Sequence, residues 1–270
     1  MPHLRSLSYR PPDAGARDRF PFSVPVVQAL GTLDLSSPVT FLVGENGSGK
    51  STLLEALAIA AGLPTVGSEG SDRDETLSAQ RELAGALKLT WNKRVRRGFF
   101  LRAEDFFGFT KQLKVMRAGL QQRLSELDEE YRDRSAYARG LAQGPMRASL
   151  ADMERRYGVD LDARSHGQSF LHLFEARFVP EGLYLLDEPE APLSPQSQLA
   201  LLAMMYGMLD QGAQFVIATH SPLLLAFPGA RIIDFDEVPA REATYESLAH
   251  VRLTREFLAA PERYLRHLRS

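Results

Sequence analysis

Val39-Thr-Phe-Leu-Val43-Gly44-Glu-Asn-Gly-Ser-Gly49-Lys50-Ser51-Thr52 is the stretch on which the fold turns. Its first five residues form an apolar run with the length of a strand buried on both faces. After the glycines, Ser51–Ala61 has an Ala/Leu-rich helix pattern that stops near Gly62 and Pro64. Strand, G-x-x-x-x-G-K-[ST] and helix together describe a phosphate-binding loop. Gly44, Gly47 and Gly49 would turn with positive φ and let the backbone approach phosphate closely. The N–H groups of Gly44, Glu45, Asn46, Gly47, Ser48, Gly49, Lys50, Ser51 and Thr52 would form an anion nest at the positive end of the helix. Lys50 would neutralise the β- and γ-phosphates, and the Ser51 hydroxyl would ligate Mg²⁺.

Downstream, Leu183-Tyr-Leu-Leu-Asp187-Glu188-Pro189 is an apolar strand ending in two acids. Open α/β sheets bind ligands at this end of their strands. Asp187 is expected to hold Mg²⁺, and Glu188 to polarise the attacking water as general base. Gln214-Phe-Val-Ile-Ala-Thr219-His220 would bring His220 to the same edge, within reach of the γ-phosphate or the water. On this reading two acids from a neighbouring strand face the phosphate cradle.

The rest of the chain falls into three zones. Before about Leu63, Leu4–Arg10 and Val24–Leu30 read as short β segments. Residues 64–162 read as an inserted lobe. Its strands Leu87–Asn92 and Gly98–Leu101 flank a hairpin turn, KRVRRG, and a long charged helix follows from about Asp105 to Ala138. Leu113, Met116, Leu120, Leu124, Leu127 and Tyr131 give that helix one apolar stripe, Gly140, Gly144 and Pro145 break it, and a second helix runs to Tyr157. From about residue 163, Leu183–Leu186, Gln214–Ala218 and Arg231–Phe235 alternate with helices, as in a parallel sheet covered on both faces.

Composition bounds what else is possible. The 270 residues are 44% hydrophobic and 24% charged, with a formal net charge of −2. That balance nominates neither nucleic acid nor an anionic membrane as a bulk electrostatic partner. With no cysteine, thiolate chemistry and Cys-ligated metals are excluded. The N-terminus has no apolar signal core and no run approaches a membrane span, so a cytoplasmic protein without membrane insertion is expected. Lys93, Arg94, Arg96 and Arg97 admit two readings, a solvated loop or a contact to a nucleic-acid backbone; Trp91 beside them could stack or pack.

GENGSGKST, LYLLDEPE and VIATHSP, in this order, resemble the ABC-type ATPases, and within them the branch related to SMC, RecF and OLD proteins. FFLRAEDFF, RSHGQSFL and TREFLAAPERYLRHL are similar to one bacterial subgroup of that branch. The resemblance implies an α/β P-loop NTPase with a mixed sheet flanked by helices and an inserted helical lobe. Residues 1–63 and 163–270 would form the ATPase core. It implies ATP and Mg²⁺ as ligands, ATP hydrolysis, and an ATP-driven homodimer with composite sites. The signature segment of such proteins would correspond to Ser165, Gly167 and Gln168, with Arg164 and His166 departing from the pattern. Glu104 would stand where a Gln is usual, and Ser194 where an Asp is usual. Tyr9, Phe20 or Phe22 could stack on adenine. An ATP-gated DNA-repair or phage-defence module with slow turnover, binding nucleic acid or an effector, is the alternative, and a transporter's ATP-binding subunit a third.

Overall fold

In the computed structural model, which describes residues 1–12, 15, 17–66, 78–157 and 166–266, strands and helices alternate. The chain opens with β1 (Leu4–Tyr9), α1 (Pro25–Gln28), β2 (Thr32–Asp34), β3 (Val39–Val43) and α2 (Lys50–Ala61). There follow α3 (Ser78–Gly85), β4 (Leu87–Trp91), β5 (Gly98–Arg102) and two long helices, α4 (Ala103–Glu130) and α5 (Ala136–Tyr157). Next come α6 (His166–Arg177), β6 (Leu183–Asp187), α7 (Pro195–Asp210) and β7 (Gln214–Ala218). The chain closes with α8 (Pro222–Leu225), β8 (Arg231–Asp234), β9 (Arg241–Ala243), α9 (Ala249–Ala259) and α10 (Pro261–Leu265).

The main sheet has the order β5-β6-β7-β3-β8-β9 and is parallel except for β9. Alternate side chains of its buried strands point to opposite faces. Val39, Phe41, Phe99, Leu101, Tyr184, Leu186, Phe215 and Ile217 therefore share one core with Phe170 and Phe174 of α6 and Leu201 and Met205 of α7. Leu42, Phe100, Leu185, Val216 and Ala218 share the other with Leu53, Leu54 and Leu57 of α2. Each large side chain so buried contributes about 1.5–3 kcal/mol. A smaller antiparallel sheet, β2-β1-β4, is joined to the main one by the fully buried Gln214. Its Nε2 donates to Leu4 O at 2.9 Å and Leu35 O at 2.7 Å, and its Oε1 accepts from Leu4 N at 2.8 Å.

Several expectations are corrected by packing. Val24–Leu30 holds the short helix α1 rather than a strand, with Pro25 at its first position and the adjacent Val26 and Val27 both buried. Within the stretch expected to form the lobe, β4 pairs in the small sheet and β5 in the main one, so KRVRRG crosses between sheets and is no hairpin turn. Gly98 makes that crossing possible: its φ is 118°, and a Cβ there would collide with Leu183 O. The helical part of the expected lobe is the pair α4 and α5. Their break falls at Tyr131–Ser135, where Ser135 Oγ accepts from Ala138 N at 3.2 Å as a cap, while Gly140, Gly144 and Pro145 lie inside α5. The buried Gln143, donating to Asp128 Oδ1 at 2.6 Å, clasps the two helices together across these weak helix formers. Of the expected stripe Leu113 and Leu127 are buried, whereas Met116 is exposed.

Candidate functional site

Five parallel strands end at one edge, and the candidate residues gather there because β3, β6 and β7 carry them. β7 lies between β3 and β6, so the acids come from the next strand but one rather than from an immediate neighbour. Gly44, Gly47 and Gly49 all have positive φ. Gly49 is also crowded: an added Cβ would sit 2.8 Å from Val24 and 2.9 Å from Val26, so the α1 region braces the loop. Glu45, Asn46 and Gly47 are exposed at the tip, and Ser48 is half-buried. Ser51 and Thr52 lie in the first turn of α2, both half-buried.

Lys50 is 4% exposed and folds back on the loop, donating to Gly44 O at 2.7 Å and Glu45 O at 2.9 Å. Burial lowers its pKa, against the pull of Glu188, Asp187, Asp236 and Glu190. The field of four carboxyl groups thus falls on one lysine, an excess of negative charge that suits a cation. Ser51 Oγ donates to Asp187 Oδ1 at 3.1 Å, bringing together two hard oxygen donors 136 residues apart in sequence. They fit Mg²⁺, which keeps several water or phosphate oxygens of its own. Among the described residues no cluster of three or more His, Asp or Glu would cage a metal unaided. Burial pushes the Asp187 carboxyl up to about 7, with the Ser51 hydrogen bond opposing and Glu188 and Glu55 adding to the rise.

Glu188 has a left-handed backbone, φ 49°, held by Glu188 N donating to Ala218 O at 2.9 Å. Such a conformation costs a non-glycine residue about 1–3 kcal/mol and recurs at functional sites. Its Oε1 lies 3.6 Å from His220 Nε2, and that nitrogen is buried with no hydrogen bond among the described residues. Burial and Lys50 lower the His220 pKa, which favours the neutral imidazole. Glu45, Asn46, Glu188 and His220 line a cleft of ≈510 Å³ at the loop. A triphosphate bound along the loop N–H groups would reach this cleft.

Two contributors carry no motif signal of their own. Asp236, just past β8, accepts from Glu45 N at 2.6 Å and braces the loop. Glu190 Oε1 accepts from His220 N at 2.7 Å. A hint of Glu190 is nonetheless in the sequence: Asp187-Glu188-Pro189-Glu190 has three acids where the phosphate chemistry needs two.

Other expected residues are placed elsewhere. Ser165 lies outside the described residues, while Gly167 and Gln168 fall in the first turn of α6. Glu104 is largely exposed and pairs with Arg102 at 3.6 Å. It is Arg102 that stands in register with Asp187. Ser194 caps α7, its Oγ accepting from Ser197 N at 3.2 Å. Phe22 is a core residue, Tyr9 is half-buried on β1, and Phe20 is exposed. Trp91 packs against the α2-side core. Lys93 is paired with Glu181 at 2.7 Å, and Arg94, Arg96 and Arg97 are exposed at the start of β5, the sheet edge opposite the loop.

Among known proteins, a family model described as "AAA domain" matches residues 28–135. A second, described as "AAA domain, putative AbiEii toxin, Type IV TA system", matches residues 161–226. The cobalt import ATP-binding protein CbiO of Salmonella typhi is 28% identical over 204 residues, 73% of this chain and 66% of that protein. The ribose import ATP-binding protein RbsA 2 of Burkholderia cenocepacia (strain HI2424) is 29% identical over 210 residues, 73% of this chain and 37% of that protein. The chain therefore spans just under two thirds of the first relative and little over a third of the second. Among solved structures, the Smc head domain of Pyrococcus furiosus bound to the C-terminal domain of ScpA aligns with a TM-score of 0.44 at 12% identity, covering 95% of this chain and 100% of that one. MJ1267, an ATP-binding cassette of an ABC transporter in its ADP conformation, aligns with a TM-score of 0.48 at 14% identity, covering 96% and 99%. Among the described residues no helix is long and apolar enough to cross a membrane.

Proposed function

We propose that this chain, which belongs to the ABC-type P-loop ATPases, hydrolyses ATP at the Gly44–Thr52 edge and completes its site with the start of α6 from a second copy. The observation that carries this reading is the Ser51–Asp187 hydrogen bond, with Glu188 and His220 on the same strand edge. Lys50 and the loop N–H groups hold the phosphates, and Ser51 and Asp187 hold Mg²⁺. When bound, Mg²⁺ supplies positive charge that stabilises the phosphate oxygens. Glu188 takes the proton of the attacking water, and neutral His220 donates to the γ-phosphate or shares a hydrogen bond with that water. Ser165, Gly167 and Gln168 of one copy would contact the γ-phosphate bound by the other, using helix N–H groups. The motif resemblance and the α4–α5 pair support a place in the branch related to SMC, RecF and OLD proteins.

The test is Glu188→Gln, sized with and without Mg-ATP and assayed for phosphate release. Tight ATP binding, an ATP-dependent dimer and loss of turnover are expected. Turnover at the parent rate removes Glu188 as base, and a monomer at every nucleotide concentration removes the shared site.

The import ATP-binding proteins among the relatives favour a second reading, the ATP-binding subunit of a transporter. It predicts that the protein co-purifies with a membrane permease. An ATP-gated nucleic-acid module is supported by the exposed Arg94, Arg96 and Arg97. It predicts salt-sensitive retardation of DNA that weakens when the three are neutralised.

A further inference from the structure

Two glutamates of one turn approach His220 from different directions. Glu188 Oε1 approaches the imidazole at 3.6 Å, and Glu190 Oε1 accepts the main-chain N–H at 2.7 Å. Glu188 faces the cleft at the loop, whereas Glu190 lines a separate cavity of ≈670 Å³ with Gln198, Tyr245 and Arg255. His220 lines both. The surface of the second cavity is mainly apolar and the Glu190 carboxyl group is largely removed from water, which pushes its pKa up against the influence of the nearby Thr219 hydroxyl. Burying an acid this way is costly, and an apolar side chain would pack there at lower cost. What the acid provides is an acceptor for the His220 N–H.

The rest of the turn is equally constrained. Ser221 Oγ donates to Gln198 Oε1 at 2.6 Å and accepts from Leu223 N and Leu224 N. On the other side, Ala191 N donates to Glu188 O at 3.1 Å and Leu193 N to Glu190 O at 2.8 Å. The proposed base and the holder of its partner thus belong to one hydrogen-bonded turn. We infer that Glu190 is a positioning residue for hydrolysis, fixing the His220 main chain and hence the imidazole relative to Glu188 and the phosphate loop. This rests on the ATPase reading above.

The experiment is steady-state ATP hydrolysis by Glu190→Ala and Glu190→Gln, alone and combined with His220→Ala. Glu190→Ala is expected to lower kcat by about tenfold or more, with KM for ATP within about threefold. Gln keeps an acceptor oxygen at the same reach, so Glu190→Gln is expected to recover kcat to within about threefold of the parent. If Glu190 acts through His220, Glu190→Ala changes kcat by less than about twofold once His220 is Ala. Losses that multiply in the double variant, or a Glu190→Gln as slow as Glu190→Ala, overturn the inference. Should Glu190→Ala lack a cooperative thermal transition, Glu190→Asp, one methylene too short to reach the N–H, replaces it with the same expectations. An active parent with unaffected Glu190 variants overturns this inference alone, whereas an inert parent overturns the ATPase reading and this inference with it.

Discussion

Ser51 Oγ donates to Asp187 Oδ1 at 3.1 Å, closing the gap between the first turn of α2 and the end of β6. The acceptor is buried, so its ionisation is coupled to folding. The unfolded aspartate titrates near 3.8 and the folded one at about 7. Between those values the folded state binds the extra proton, so stability is greatest at the acid end and falls as pH rises through the window. In Mg²⁺-free buffer the unfolding free energy should drop by up to a few kcal/mol between about pH 4 and about pH 7 from this group. Asp187→Asn should flatten that segment in urea titrations. An unchanged slope in the variant would show that Asp187 is not the group responsible.

Lys50 lies in the negative field of four acids, Glu188, Asp187, Asp236 and Glu190. Removing it deletes the proposed phosphate partner and leaves the negative charge of those acids uncompensated at the loop. Lys50→Ala should weaken Mg-ATP binding by about a hundredfold or more, read by calorimetry. An affinity within about threefold of the parent would refute the assigned role.

Arg102 ties three elements together. At the end of β5 it bonds Asp105 of α4 through Nε at 2.8 Å and Nη2 at 3.0 Å, and Glu55 of α2 through Nη1 at 3.1 Å. All three side chains are largely buried. Arg102→Met strands two buried acids and should cost about 3–5 kcal/mol by denaturant unfolding. Adding Glu55→Gln and Asp105→Asn should restore much of the loss, because the stranded charges are then gone. No recovery in the triple variant would argue that shape, not charge, sets the cost.

Gly98 gives a sharper steric test. A methyl group there meets the Leu183 carbonyl and faces an unfavourable φ at once. Gly98→Ala should destabilise by about 3 kcal/mol or more, seen as a large fall in Tm. An unchanged Tm would mean that β5 and β6 do not approach each other as described.

The phosphate loop, the acids of β6 and the placement of His220 are legible in the sequence because each rests on local chemistry: glycine spacing, an apolar run, a strand-end acid. What escapes depends on distant partners. Glu190 looks like turn filler until His220, 30 residues on, supplies its N–H. Asp236 reaches Glu45 from 191 residues away. The strands β4 and β5 lie close in sequence, which suggests a hairpin, yet each pairs in a different sheet. Helix breakers mislead for the same reason. Pro145 sits inside α5 despite a propensity cost of about 3 kcal/mol, in a helix tied to α4 by the Gln143–Asp128 hydrogen bond.

The helix α4 starts at Arg102's ion pairs and runs for 28 residues, about 42 Å at 1.5 Å per residue. Anything that tilts its base by about 5° sweeps the far end through about 4 Å, by the arithmetic of a rigid rod of that length. A sub-ångström adjustment beside the phosphate loop would thus be magnified into a displacement large enough to make or break contacts at the remote tip. One continuous helix thus has the length to turn a small change at its base into travel at its tip.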